Sequence, residues 1–203
     1  MARTGRPRAF DTQETLGQAR DLFWSRGYAA TSVQNLVDEL SVQRGSLYAA
    51  YGDKRSLYLK AVALYAGESR AHLESVLAAD PVLLSLRRML TDPAALIGTP
   101  GPAQPRRGCL VGNTTVELVP GDDEAQSLVA AAYDAFVEVV TAALMRGQAG
   151  GEVSRASTPA AQAQLLLIVF QGLALVSRAG TDQGRVDAAV DVALSALTPA
   201  DHS

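Results

Sequence analysis

The stretch TSVQNLVDELSVQRGSLYAAYGDK, residues 31–54, decides the fold, because it predicts two short helices joined by a tight turn. Thr31 and Gln34 have the spacing of a capping box, which marks the start of the first helix. Four apolar residues then recur at the spacing of one helical face: Val33, Leu36, Val37 and Leu40. Ser41 and Val42 form the turn, and a second helix extends to about Tyr51. This arrangement sets the second helix of such a pair in a DNA major groove.

The second helix has one apolar side and one side suited to DNA. At about 100° per residue, the positions that face inward are Leu47, Ala50 and Tyr51. On the outward side, small residues allow the backbone to approach base edges, and the Ala49 methyl group can contact a thymine methyl group. The hydroxyl of Tyr48 and the ammonium of Lys54 are placed to contact phosphates. An ordinary helical hairpin with a solvated tyrosine is the competing interpretation.

Further motifs flank this pair of helices: ARDLF at residues 19–23, RGY at 26–28 and DKRSL at 53–57. With TSV at 31–33, RGSLY at 44–48 and Tyr51, they make residues 10–65 resemble the N-terminal domain of the tetracycline-repressor (TetR) family of bacterial transcription regulators. The resemblance implies an all-α fold. A three-helix helix-turn-helix domain would cover residues 1–60, and a larger helical ligand-binding and dimerisation domain would cover residues 61–203. It also implies a dimeric repressor that a small molecule releases from a palindromic operator.

The chain departs from the family pattern at the turn and on the second helix. Ser41 stands where the family usually has glycine, and Gln43 stands where a serine or threonine usually caps the helix. Both changes predict a looser or slightly strained turn. Ala49 and Ala50 replace a bulkier pair, which leaves fewer side chains to read bases.

Charge is distributed unevenly along the 203 residues, whose net charge is −3. Residues 1–60 hold nine Arg or Lys and six Asp or Glu, a net charge of +3, and the rest of the chain carries −6. This division suits a protein that contacts DNA with one end only. The arm MARTGRPR, with Arg6 between Gly5 and Pro7, can follow phosphates or enter a minor groove. The residues expected at DNA are Arg6, Thr31, Gln34, Arg44, Gly45, Ser46, Tyr48, Ala49 and Lys54.

The rest of the chain predicts further helices and no catalytic constellation. One cysteine and two histidines do not favour a zinc site, and no cofactor is expected. The longest strongly apolar stretch, residues 165–176, is too short to span a bilayer, and without a signal peptide we expect a cytoplasmic protein. The Pro- and Gly-rich residues 92–108 interrupt the helices and predict a lid or loop. By resemblance, the body holds a small ligand, with candidate contacts at Cys109, Asn113, Glu117, Tyr133, Phe136 and Phe170.

Cys109 supports an alternative trigger. It stands at the start of a predicted helix, after Arg106 and Arg107, in a setting that favours a reactive thiolate. The sequence RGCLVGN at 107–113 resembles family members that carry this cysteine, some of which sense oxidants or electrophiles. A small buried hydrophobic residue is the competing interpretation.

The last two helices predict the dimer interface, because both are rich in apolar residues. In TetR-like proteins the last two helices build a four-helix bundle between subunits, and two adjacent apolar helices at the C-terminus favour it here. The expected interface residues are Leu166, Val169, Leu173, Val186, Val190 and Leu194. An enzyme and a helical adaptor that has lost DNA binding are the distant alternatives.

Overall fold

The computed structural model describes residues 11–91 and 107–199, and every regular element in these two ranges is helical. The helices are α1 (Thr12–Arg26), α2 (Val33–Leu40), α3 (Arg44–Tyr51), α4 (Lys54–Leu77), α5 (Val82–Thr91), α6 (Leu110–Glu117), α7 (Asp123–Ala149), α8 (Pro159–Arg178) and α9 (Gln183–Ser195). A short 3-10 turn, Val119–Gly121, lies between α6 and α7. The all-α prediction is therefore confirmed.

The described residues form two compact units, which divide along the chain between Leu64 and Tyr65. The domain boundary predicted at residue 60 stays a prediction. The first unit contains α1, α2, α3 and the start of α4. Its core includes a cluster of aromatic rings, in which Phe23 meets Tyr58 edge to face at 4.9 Å and Tyr28 lies 4.8 Å from Tyr58. Such contacts add to the apolar burial that holds a small helical unit together.

The N-terminus of α2 corrects one prediction. The capping box consists of Ser32 and Asn35, not Thr31 and Gln34. Thr31 is fully buried, and its hydroxyl donates to the carbonyl oxygen of Gly27 at 2.7 Å. The sequence offers two overlapping capping boxes one residue apart. Burial of Thr31 in the core selects the second, since a cap residue must keep its side chain beside the free N–H groups of the first turn.

The second unit contains α5 to α9 and the later part of α4. Helices α7 and α8 pack against each other, and α6 packs against both. Asp122 caps α7 and Thr158 caps α8, because Asp122 accepts from the N–H of Ala125 and Thr158 accepts from the N–H of Ala161. Two caps at the junction of α4 and α5 come from elsewhere in the chain. Glu152 accepts hydrogen bonds from the N–H groups of Val82 and Leu83 at 2.8 and 2.6 Å, and Arg146 donates to the carbonyl oxygen of Leu77.

Two described helices, Asp123–Ala149 and Pro159–Arg178, are long and apolar enough to cross a membrane by length and composition alone. Core helices of soluble proteins pass the same test, and these two pack against each other.

Candidate nucleic-acid interface and effector region

Helix α3 is fixed in the first unit by the two side chains on its inward side. Leu47 and Tyr51 are buried, and the hydroxyl of Tyr51 donates to the carbonyl oxygen of Thr12 at 2.5 Å. Burial and the nearby Asp11 carboxylate raise the pKa of Tyr51, so its proton stays available for this bond. Ala50, which was predicted to face inward, is exposed. Its position falls between the two faces, and the core reaches only Leu47 and Tyr51.

The turn before α3 has the strain that the missing glycine predicts. Ser41 adopts a left-handed conformation with φ 53° and ψ 35°, which a residue with a side chain seldom takes. Val42, the next residue of the turn, is buried. Gln43 is the N-cap residue of α3, and its side chain makes no hydrogen bond to that helix.

The outward face of α3 is open to solvent. Arg44, Gly45 and Ala49 are exposed, Tyr48 is 37% exposed, and Ser46 is half-buried. The Arg44 guanidinium lies over the Tyr48 ring at 5.7 Å, so one positive charge stands beside one hydroxyl. We call the exposed residues Gln43, Arg44, Gly45, Tyr48 and Ala49 the α3 face.

The other expected DNA contacts have different positions. Gln34 is exposed on α2 and donates to Asp38 at 2.7 Å. Thr31 is buried, so it has no surface to offer DNA. The ammonium of Lys54 donates to the carbonyl oxygens of Tyr28 and Thr31, both at 2.8 Å, so Lys54 joins α4 to the α1–α2 loop. These two bonds use two of the three N–H donors of the ammonium, so a phosphate contact by Lys54 stays a prediction. Arg6 lies outside the described residues.

In the second unit, Cys109 lies at the start of α6 and is only 7% exposed. Its Sγ accepts from the N–H of Gly112 at 3.5 Å and from Nε2 of Gln171 at 3.6 Å. Burial raises the pKa of the Tyr65 hydroxyl well above its ordinary value, and the neighbouring Cys109 raises this pKa further. Gln171 is the polar residue that interrupts the apolar run of α8, and this interruption is the sequence signal that identifies it.

Three of the other candidate ligand contacts, Tyr133, Phe136 and Phe170, lie where α6, α7 and α8 meet. The hydroxyls of Tyr133 and Thr115 are 2.9 Å apart, and desolvation raises the pKa of Tyr133. The rings of Phe136 and Phe170 lie 5.4 Å apart, which joins α7 to α8. These pairs line the region where α6, α7 and α8 meet.

Asn113 and Glu117 extend along α6 from Cys109. Asn113 accepts from Arg178 at 2.6 Å and donates to the carbonyl oxygen of Arg107 at 3.0 Å, so it ties α6 to α8. Glu117 is exposed. Residues 92–106 of the Pro- and Gly-rich segment lie outside the described residues. Within the described ranges, no group of three or more His, Cys, Asp or Glu is placed to hold a metal ion.

The expected interface residues lie on the wrong sides of α8 and α9 for a contact between chains. Val169 is half-buried. The other five are buried within one chain: Leu166, Leu173, Val186, Val190 and Leu194. One side of each helix packs in the core of its own chain, and only the opposite side is available to a second chain. Because both sides are apolar, the sequence alone does not distinguish them. The large apolar residues of these helices that are exposed are Leu165, Ile168, Leu175, Val176 and Val192, which we call the α8–α9 face.

Comparisons with known proteins agree with this arrangement. Two family models match the sequence: "Bacterial regulatory proteins, tetR family" over residues 16–71, and "Tetracyclin repressor-like, C-terminal domain" over residues 86–193. The uncharacterized HTH-type transcriptional regulator YezE of Bacillus subtilis is 30% identical over 195 residues, which are 95% of this chain and 99% of YezE. The HTH-type transcriptional repressor DhaR of a Mycobacterium species is 25% identical, over 92% of each chain. A solved structure of a cysteine mutant of the TetR family transcriptional regulator CifR, complexed with 26-bp double-strand operator DNA, has a TM-score of 0.80 and 28% identity, and the match covers 95% of this chain and 100% of that chain.

Proposed function

Because the chain belongs to the tetR family of bacterial regulatory proteins, we propose that it is a dimeric repressor that binds a palindromic operator through α3 and leaves it when a small effector binds the second unit. Members of this family are DNA-binding transcriptional regulators and not enzymes, which excludes the enzyme alternative, and the exposed α3 face favours DNA binding over a helical adaptor. The observation that carries the proposal is the α3 face. On one short helix and its N-cap residue it exposes the guanidinium of Arg44, the hydroxyl of Tyr48 and the carboxamide of Gln43. At Gly45 the helix backbone is exposed without a side chain.

Each group on the α3 face has a matching group on DNA. Arg44 can bind a guanine through O6 and N7, and the Ala49 methyl can contact a thymine methyl. The Tyr48 hydroxyl can bond to a phosphate oxygen, which positions the helix without reading sequence. Gly45 keeps the backbone close to the base edges, and a Cβ added at this residue would meet no atom within 4 Å, so packing does not require glycine here.

Dimerisation supplies the second half of the site. Five large apolar side chains of the α8–α9 face are between 41% and 72% exposed in the single chain. A second copy that packs on this face would remove them from water and form a four-helix bundle. Two α3 helices related by a two-fold axis then contact two half-sites, so the operator is a palindrome.

The effector region is the junction of α6, α7 and α8. Aromatic rings and hydroxyls meet there, which suits a small and mostly apolar molecule with one or two polar groups. The effector must bind the DNA-incompetent form more tightly than the DNA-bound form, and DNA must weaken the effector by the same factor. A covalent trigger at Cys109 is not favoured, because that thiol is buried and accepts two hydrogen bonds.

The cellular location follows from the family in general, whose DNA-binding regulators are soluble and cytoplasmic. We extend this location to the present chain on the strength of its membership of the family.

Binding to DNA tests the proposal directly. The full-length protein is used to select from random double-stranded DNA, and fluorescence anisotropy measures its affinity for the selected site at several salt concentrations. We expect a palindrome, and an affinity that falls steeply as salt rises. Arg44→Ala should weaken binding by about 10-fold or more. Arg88→Ala, which removes an exposed arginine of α5, is the matched control. Equal affinities for wild type and Arg44→Ala would contradict the assignment of α3.

A further inference from the structure

Gln43 begins α3 but does not cap it. The side chain of this N-cap residue makes no hydrogen bond to the helix, although the backbone is extended at φ −72° and ψ 141°, as a cap residue requires. The N-cap side chains of α1, α2, α7, α8 and α9 all make such a bond. A glutamine is one methylene too long for this bond, and a serine at the same position would make it. The stability of α3 therefore does not explain the glutamine.

The position of Gln43 does suggest a use. It is exposed at the N-terminal end of α3, and the N-terminal residues of a recognition helix are those that contact base edges. Gly45, two residues further along, is exposed and adds no side chain to the first turn of α3. A long side chain at residue 43 can therefore reach past the helix backbone into a groove.

Few other side chains on α3 can read bases. Gly45, Ala49 and Ala50 have no polar side-chain atom, and Ser46 is short and half-buried. Gln43 and Arg44 are the residues of this helix and its cap that carry two hydrogen-bonding groups in a fixed fork. The carboxamide of a glutamine has one donor and one acceptor, which match N7 and the N6 amino group of adenine.

We propose that Gln43 is a specificity-determining residue of this regulator and that it reads an adenine in each operator half-site. The inference rests on the proposed DNA binding through α3 and adds a base assignment to it. Gln43 does not cap α3 as a serine would, and its side chain contacts a base instead.

The experiment compares three full-length proteins in selection from random double-stranded DNA: wild type, Gln43→Ser and Gln43→Glu. Gln18→Ser, which changes an exposed glutamine of α1, is the matched control. Affinities are then measured for the best wild-type site and for its single-base-pair variants. Urea unfolding of each protein reports whether the serine forms the missing cap.

We expect Gln43→Ser to lose preference at one symmetric pair of positions by about 5-fold or more, while preferences elsewhere and the folded structure persist. Gln43→Glu should change that preference from adenine to cytosine, because a carboxylate accepts from the cytosine amino group. If Gln43→Ser is more stable than wild type and selects the same bases with the same preferences, Gln43 is a solvated surface residue. The base assignment to Gln43 is then wrong, and the proposed DNA binding through α3 stands. If the wild type enriches no sequence, the proposed DNA binding fails as well.

Discussion

The ammonium of Lys54 lies 4.2 Å from the centre of the Tyr28 ring and donates to the Tyr28 carbonyl oxygen at 2.8 Å. One charge at the first residue of α4 therefore holds both the ring and the backbone of the loop that follows α1. The same ammonium also reaches the carbonyl oxygen of Thr31, just before α2. This one nitrogen therefore joins the start of α4 to the α1–α2 loop, so its loss should disturb the placement of α2 and α3.

We expect Lys54→Met to lower the free energy of unfolding by roughly 2–3 kcal/mol, because it removes two charge-assisted hydrogen bonds and leaves the carbonyls without this donor. Urea unfolding followed by circular dichroism measures the change. Lys60→Met is the control, since Lys60 is exposed and lies 5.7 Å from the Tyr51 ring. Similar unfolding curves for Lys54→Met and wild type would show that the two hydrogen bonds of Lys54 contribute little to the free energy of unfolding.

Ser41→Gly should raise the free energy of unfolding by about 0.5–1 kcal/mol. The left-handed conformation at φ 53° costs a serine more than a glycine, and this relief exceeds the extra entropy of the unfolded glycine. Ser46→Gly, inside α3, should instead lower stability by a few tenths of a kcal/mol or more. If both glycine substitutions destabilise the protein to the same extent, the turn is not strained.

Ile168→Glu should give a monomer in light scattering, together with loss of operator binding, because Ile168 is 69% exposed on the α8–α9 face. Val192→Glu, at a residue 72% exposed on α9, should act in the same way. The control is Val116→Glu, which changes an exposed apolar residue of α6. A dimer that tolerates a charge at both Ile168 and Val192 would place the contact between subunits elsewhere.

Asp53 predicts a dependence of stability on pH. Hydrogen bonds from Ser56 hold the pKa of this exposed carboxyl below its ordinary value of 3.8. Because the folded pKa is lowered, the contribution of Asp53 is present at pH above about 4 and is lost as the pH falls through the folded pKa. The difference in unfolding free energy between wild type and Asp53→Ala should therefore shrink between pH 7 and pH 3. A constant difference would contradict this account.

Glu152→Ala should lower the free energy of unfolding by about 1–3 kcal/mol, since it leaves two N–H groups at the start of α5 without their acceptor. Glu152→Gln keeps one acceptor oxygen and should fall between wild type and alanine. If the alanine and glutamine variants are equally stable, the carboxylate does not act as a cap.

Local periodicity was enough to predict the all-helical fold and the burial of Leu47 and Tyr51 on α3, although it also placed the exposed Ala50 on the inward side. The sequence was wrong about Thr31, where two overlapping capping boxes differ only in which residue the core buries. It did not predict that Lys54 bonds to the carbonyl oxygens of Tyr28 and Thr31, since these lie more than 20 residues earlier in the sequence. For α8 and α9, apolar residues occur on nearly every side, so periodicity could not separate Leu173 in the core from Ile168 at the surface.

The cap that Glu152 forms on α5 has a consequence for hydrogen exchange. Amide protons in the first turn of a helix ordinarily exchange quickly with solvent deuterium, because no earlier carbonyl accepts them. The amides of Val82 and Leu83 are exceptions, since the Glu152 carboxylate accepts both. Their exchange requires the segment after α7 to separate from α5, so these two protons report the opening of that junction without any added probe.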